Sequence, residues 1–167
     1  MVFEGQTLLA RVEQRLTPLF EHVVVSTRQK RDDTELPQVL DDSEYRAPMM
    51  GIVAAFEAVD TDWLFVVGVD MPFIAADLLK HMAKYRAGHD AVLVKVEERL
   101  QPLLAFYRKE SCLPLMRARI HQGNRSLINL IPHIHTNVLK EDDIQQVDYK
   151  LKSFIDFDMP SDLESKT

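Results

Sequence analysis

Trp63-Leu64-Phe65-Val66-Val67-Gly68-Val69-Asp70-Met71-Pro72-Phe73 is the stretch whose reading decides the fold. Trp63 to Val69 is apolar without alternation, the pattern of a strand buried on both faces in the middle of a parallel sheet. The run stops at Asp70, and Pro72 excludes further ladder pairing. From Ala75 to Arg86, Leu78, Leu79 and Met82 recur at helical spacing, so the strand hands over to a helix with Asp70 at the junction. In open α/β sheets the ligand crevice lies beyond the carboxyl ends of the strands, which puts Asp70 where a substrate or metal would be held. The other reading of the same position is an aspartate that caps its own turn.

Outward from this unit, strands and helices alternate. The N-terminal side reads as a helix over Gln6 to Phe20, a strand over His22 to Thr27, a charged connector, a brief strand over Leu36 to Leu40 and a helix over Ala47 to Val59. On the C-terminal side follow a strand at Asp90 to Val96, a polar link, a strand at Leu103 to Tyr107 and a helix at Leu113 to Gln122 that stops at Gly123. Ser126 then caps a short helix ended by Pro132. Thr136 to Leu139 and Ser153 to Phe157 read as strands around an acidic, solvated segment, Lys140 to Gln146. This order calls for a three-layer α/β/α sandwich, with residues 1–167 as one domain.

The totals exclude several classes. Twenty Lys and Arg against 26 Asp and Glu give a net charge of −6, which argues against nucleic-acid binding and against a polybasic membrane surface. One cysteine, Cys112, excludes an internal disulfide, and no apolar run approaches the roughly 20 residues of a membrane span, so a cytoplasmic protein is expected. His133, His135 and Glu141 lack the fixed spacing of a zinc site and read as surface residues. Arg28, Lys30 and Arg31 stand beside Asp32 and Asp33 and read as a solvated loop or as phosphate contacts, and Arg117, Arg119 and Arg125 form a second group of cations.

Gly5-Gln6-Thr7-Leu8-Leu9, the Val23-Val24-Val25 strand, Ala47-Pro48-Met49-Met50-Gly51-Ile52, Val69-Asp70-Met71-Pro72-Phe73, Gln101-Pro102-Leu103, Asn124-Arg125-Ser126-Leu127 and Phe157-Asp158-Met159-Pro160-Ser161-Asp162-Leu163 occur in the order seen in molybdenum cofactor guanylyltransferases. Over nearly its whole length the chain resembles that family. The resemblance implies a Rossmann-like nucleotidyltransferase fold and transfer of GMP from Mg²⁺-bound GTP to molybdopterin or Mo-molybdopterin, with release of pyrophosphate. It implies that Asp70, in the Asp-x-Pro motif, holds the Mg²⁺ ion, and that Asp42, with Asp41 as the alternative, contacts the nucleotide. Ser26 matches a small polar residue near the base, while its local reading is a strand-end hydroxyl that satisfies a turn.

Three departures from the family pattern carry expectations of their own. The family opens with a strand, a Gly-rich loop and a lysine, and this sequence begins after that point. An N-terminally truncated sheet is therefore expected, with the neighbours of its first strand unpartnered and GMP transfer impaired in this short form. Tyr45-Arg46-Ala47-Pro48-Met49 replaces a glycine-rich approach to the nucleotide. Asp156 and Asp158 stand where guanylyltransferases commonly carry asparagine, and the related cytidylyltransferases and sugar nucleotidyltransferases favour aspartate there. The alternatives are thus a cytidylyl- or sugar nucleotidyltransferase, or a non-catalytic homologue that binds a molybdoenzyme or its chaperone.

Overall fold

The structure is a computed structural model that describes residues 2–3, 5–41 and 47–155. A short antiparallel bridge, β1 (Val2–Phe3) with β2 (Gln6–Thr7), leads into helix α1 (Leu8–Leu16). The Thr7 hydroxyl accepts the Ala10 N–H at 3.1 Å and so caps one of the orphan donors of the first turn. Next come β3 (Val25–Thr27), β4 (Gln38–Leu40), α2 (Pro48–Ala58), β5 (Trp63–Val67) and α3 (Ala76–Ala83). The second half runs β6 (Ala91–Val96), β7 (Arg99–Leu100), β8 (Leu104–Arg108), α4 (Lys109–His121), α5 (Leu127–Leu130), β9 (Thr136–Leu139) and α6 (Glu141–Gln145).

Besides the β1–β2 pair, the described strands form one main sheet and one separate parallel pair. In the main sheet β8 lies between β5 and β6 and is antiparallel to both, while β6 also pairs with β9 in parallel and with β7 in a hairpin. β3 and β4 form their own parallel pair, with Val25 opposite Gln38 and Thr27 opposite Leu40. Period-two alternation sorts the main-sheet side chains into two cores. Val92, Val94, Leu104 and Phe106 face one side and pack with Val12 and Leu16 of α1, Leu78 and Met82 of α3 and Ile144 of α6. Ala91, Leu93, Ala105 and Tyr107 face the other, with Met49 and Phe56 of α2, Cys112 and Met116 of α4, and Leu130 of α5. Helices therefore cover both faces, and the expected three-layer α/β/α sandwich is what forms.

Several local expectations are corrected. β5 is not in the middle of a parallel sheet: among the described residues it pairs with β8 alone, antiparallel, and all five of its residues are only half-buried. Lys140 to Gln146 is acidic and mostly solvated as read, and it also forms a helix. The Asp143 carboxylate accepts the Lys140 N–H at 3.0 Å, and Ile144, fully buried, anchors the resulting helix to the core. Ser153 begins no strand within the described residues; the Asp148 carboxylate takes the N–H groups of Lys152 and Ser153 at 3.0 and 2.9 Å and winds that segment into a 3₁₀ turn over Lys152–Phe154. Helix α4 starts four residues earlier than expected and carries Pro114 in its interior. Its end is as read: Gly123, at φ +80°, donates to the Ile120 carbonyl at 2.9 Å and Asn124 to that of Arg119 at 2.9 Å, a left-handed turn that closes the helix.

Candidate functional site

A cavity of about 800 Å³ opens between the β3–β4 pair and β5. Apolar side chains from α1 (Leu9, Val12) and α2 (Ile52, Ala55) line it, as do the strand residues Val23 to Thr27 and Trp63 to Val67. At the carboxyl ends of these strands its lining turns polar, with Ser26, Thr27, Arg28 and Asp41. This is the crevice position expected of an open α/β sheet.

Ser26 is exposed, in the middle of β3, with helix α2 directly behind it. A β-carbon built on Gly51 would overlap the Ser26 hydroxyl oxygen, so the absence of a side chain in α2 is what lets that hydroxyl occupy its position. Asp41 follows β4 immediately; its backbone N–H donates to the Thr27 carbonyl at 2.9 Å, extending the β3–β4 ladder by one bond and fixing the start of the loop beyond. Asp42 lies outside the described residues, as do Asp156 and Asp158.

Asp70 sits in the turn after β5, half-buried, where the Met71 N–H donates to the Gly68 carbonyl at 3.2 Å. Its carboxylate folds back over Gly68 so closely that a β-carbon there would overlap Oδ1. Gly68 does not have a positive φ, so its small size serves clearance rather than backbone freedom. Val67 and Val69 line the cavity together with Ser26 and Asp41, whereas Asp70, the residue after Val69, is not part of its lining. The two glycines escaped the sequence reading because each clearance is defined by a side chain placed there by the fold.

Several of the remaining candidates are engaged elsewhere. Arg31 pairs with Asp33 at 2.6 Å and Arg117 with Glu57 of α2 at 2.7 Å. The His135 ring meets the Gly88 carbonyl at 2.8 Å and stacks near His89 at 4.6 Å, while the Glu141 carboxylate accepts the Glu97 N–H. Among the described residues no three His, Cys, Asp or Glu side chains gather as a metal cluster. Asp70 by itself still suits magnesium, a hard cation that commonly takes one or two protein carboxylates and completes its shell with phosphate and water. Burial pushes the Cys112 thiol up to about 11, with Sγ directed at the Asp90 carbonyl at 3.4 Å, the state of an inert core cysteine. No helix among the described residues is long and apolar enough to cross a membrane.

A crevice at the carboxyl ends of an α/β sheet, with an aspartate held over the end of one strand, defines a ligand-binding α/β protein. The family model described as the MobA-like NTP transferase domain matches residues 1–138, and the chain belongs to that family of nucleotidyltransferases. A protein named "Probable molybdenum cofactor guanylyltransferase" from Natronomonas pharaonis is 28% identical over 96% of this chain and 83% of its own length. Among solved structures, molybdopterin-guanine dinucleotide biosynthesis protein A from Archaeoglobus fulgidus superposes with a TM-score of 0.83 at 24% identity, covering 98% of this chain and 85% of the other. The 2-C-methyl-D-erythritol 4-phosphate cytidylyltransferase of Thermus thermophilus has the same fold, with a TM-score of 0.71 at 12% identity over 95% and 86% of the two chains.

Proposed function

We propose that this chain acts in molybdenum cofactor biosynthesis as a guanylyltransferase, in the cytoplasm, with GTP and molybdopterin or Mo-molybdopterin as substrates. In the reaction a phosphate oxygen of the pterin forms a bond to the α-phosphorus of GTP, the bond from that phosphorus to the β-phosphate oxygen breaks, and pyrophosphate leaves. The observation that carries this reading is the Asp70 carboxylate turned back over Gly68 at the carboxyl end of β5, beside the cavity. Asp70 would hold Mg²⁺, which when bound neutralises triphosphate charge and draws electron density from the phosphorus under attack. Ser26 offers a hydroxyl that both donates and accepts, suited to a base edge or ribose; Asp41, together with Asp42 as read from the sequence, suits ribose hydroxyls as an acceptor. Arg28, at the same end of the cavity, adds a cation beside the polyphosphate path.

A protein of net charge −6 gains little by binding free GTP, itself an anion, so nucleotide binding is expected to require the divalent ion. Calorimetry with GTP, CTP and UTP, each with and without Mg²⁺, tests the reading on the wild type and on Asp70→Asn. Mg²⁺-dependent binding that prefers GTP, weakened at least about tenfold in the variant, supports it. Preference for CTP, or equal binding by the variant, refutes it. Mass spectrometry of the guanine dinucleotide formed from molybdopterin and GTP checks the transfer itself.

A further inference from the structure

His89 precedes β6 and His135 precedes β9, and the fold brings the two rings side by side, their centroids 4.6 Å apart and their planes tilted by 30°. Spacing along the chain could not show this, because the two side chains come from different strands. The backbones beneath them are fixed. The His135 carbonyl accepts the Asp90 N–H at 2.7 Å, and the Asp90 carboxylate accepts the His135 N–H at 2.9 Å. From there β6 and β9 run on in parallel, with Ala91 opposite Thr136. The His89 N–H donates to the Arg86 carbonyl at 3.1 Å across a turn that Gly88 makes at φ +77°. Two rings on one rigid junction hold their relative position with little further ordering.

Both rings are also oriented. His89 Nδ1 lies 3.0 Å from the Ala87 carbonyl oxygen and His135 Nδ1 lies 2.8 Å from that of Gly88. A carbonyl oxygen only accepts, so each Nδ1 carries the hydrogen, and in the neutral imidazole the free lone pair is then on Nε2. The two carbonyls belong to adjacent residues of one turn, so both Nε2 corners face away from it. Among the described residues neither Nε2 has a protein partner. An Nδ1–H donated to a backbone carbonyl, with Nε2 left open, is the arrangement of a metal-binding histidine, and here it occurs in two adjacent rings.

We propose that His89 and His135 form a binding site for one divalent transition-metal ion of the zinc class, with water completing its shell. Imidazole suits Zn²⁺, Ni²⁺ and Cu²⁺, whereas Mg²⁺ prefers oxygen, so this ion is not the one read for Asp70. A tetrahedral ion about 2.0–2.1 Å from each nitrogen sets the two nitrogens about 3.3 Å apart. His135 is exposed and reaches that spacing by a small turn about its soft χ2 torsion. The site lies at the amino ends of β6 and β9. β5 runs parallel to β6, because both are antiparallel to β8, and Asp70 follows its opposite, carboxyl end. The ion therefore clips the starts of two strands together and stands apart from the nucleotide chemistry. The proposal does not rest on the guanylyltransferase reading.

Calorimetric titration of Zn²⁺ into the full 167-residue chain, in excess Mg²⁺ and without nucleotide, tests it. The same titration is made on His89→Ala, on His135→Ala and, as a control, on His121→Ala at the exposed end of α4. The expected result is saturable binding of one ion per chain, weakened at least about tenfold in either of the first two variants and unchanged in the control. Zn²⁺ is also expected to raise the thermal midpoint of the wild type and the control but not of the two variants, whose metal-free midpoints separate loss of the site from loss of the fold. Imidazole nitrogen spectra of the wild type need no variant: Zn²⁺ should shift Nε2 of His89 and His135 and leave both Nδ1–H signals in place. No saturable binding would leave the rings as a stacked pair. Equal binding by either variant, equal weakening in the control, or a shift at other histidines instead would place the ion elsewhere; each of these results overturns the proposal.

Discussion

Gly68 and Gly51 set where two oxygens of the candidate site lie. Each would put a β-carbon onto a side-chain oxygen of another residue, Asp70 Oδ1 in one case and Ser26 Oγ in the other. The oxygen in each case is the far end of a side chain that can turn away, so alanine displaces the functional group rather than breaking the fold. Gly68→Ala is therefore expected to weaken Mg²⁺-dependent GTP binding about tenfold, near 1.4 kcal/mol, with an unchanged thermal midpoint. Calorimetry beside a melting curve reads both, and unchanged binding would remove Gly68 from any positioning role. Gly51→Ala shifts the Ser26 hydroxyl in the same way, and a change in the GTP to CTP affinity ratio is expected if Ser26 contacts the base. Asp70 could be found from sequence because an apolar run ends abruptly on it. The two glycines could not, because an empty volume leaves no sequence pattern until the residues that bound it are in place.

At the scale of elements, periodicity revealed most of the chain because most helices here bury one face and the strands of the main sheet contribute to both cores. It failed where a polar group decided the local path. Asp143 nucleates α6 and Asp148 winds the last described turn, and both look like solvated charge in a one-dimensional reading. The junction of β6, β8 and α4 is a further case. The Asp90 carboxylate accepts the His135 N–H at 2.9 Å and the Asp90 backbone carbonyl accepts the Arg108 N–H at 2.8 Å, tying three strand ends together above the buried pair Tyr107 and Cys112.

That pair gives the junction a pH dependence. Burial raises the Cys112 thiol from its ordinary 9.0 to about 11, and burial, with Cys112 beside it, also raises the Tyr107 hydroxyl, which donates to the Pro102 carbonyl at 2.9 Å. Between pH 9 and about 11 the unfolded thiol has lost its proton while the folded one keeps it. The stabilisation is complete below pH 9 and falls as pH rises, by about 2–3 kcal/mol over the interval. Tyr107 adds to the fall only above its own ordinary value of 10.0. Urea midpoints from pH 8 to 11 are expected to drop for the wild type from pH 9 onward, and for Cys112→Ala only from pH 10. Parallel curves for the two proteins would mean that the thiol ionises in the folded state as it does in the unfolded one.

For the whole molecule, the decisive feature is that the backbone ladder of the described residues is divided. β6 and β8 lie at the centre of the main sheet with side chains packed from both layers, whereas β3 and β4, among the described strands, pair only with each other and reach the main body through α2. The sequence showed that strands exist at Val25 and Trp63; it could not show that they stand apart, since pairing between distant segments is settled by which edges the helices leave adjacent. Cooperative protection follows the ladder, so local opening of the β3–β4 unit should cost less than global unfolding. Amides of Val25–Thr27 and Gln38–Leu40 are expected to exchange at least about a hundredfold faster than those of Val92–Val94 and Ala105–Tyr107 under native conditions, a difference of about 3 kcal/mol in opening free energy. Exchange followed by mass spectrometry resolves these segments. Equal protection would mean that helix packing, chiefly of α2, couples the two sheets into one cooperative unit. A hundredfold gap would mean that the crevice, with Ser26 and Asp41 on one wall and β5 on the other, is assembled from a rigid half and a labile half. Any ligand that bridges them would then stabilise the labile half most, because it binds only when that half is folded.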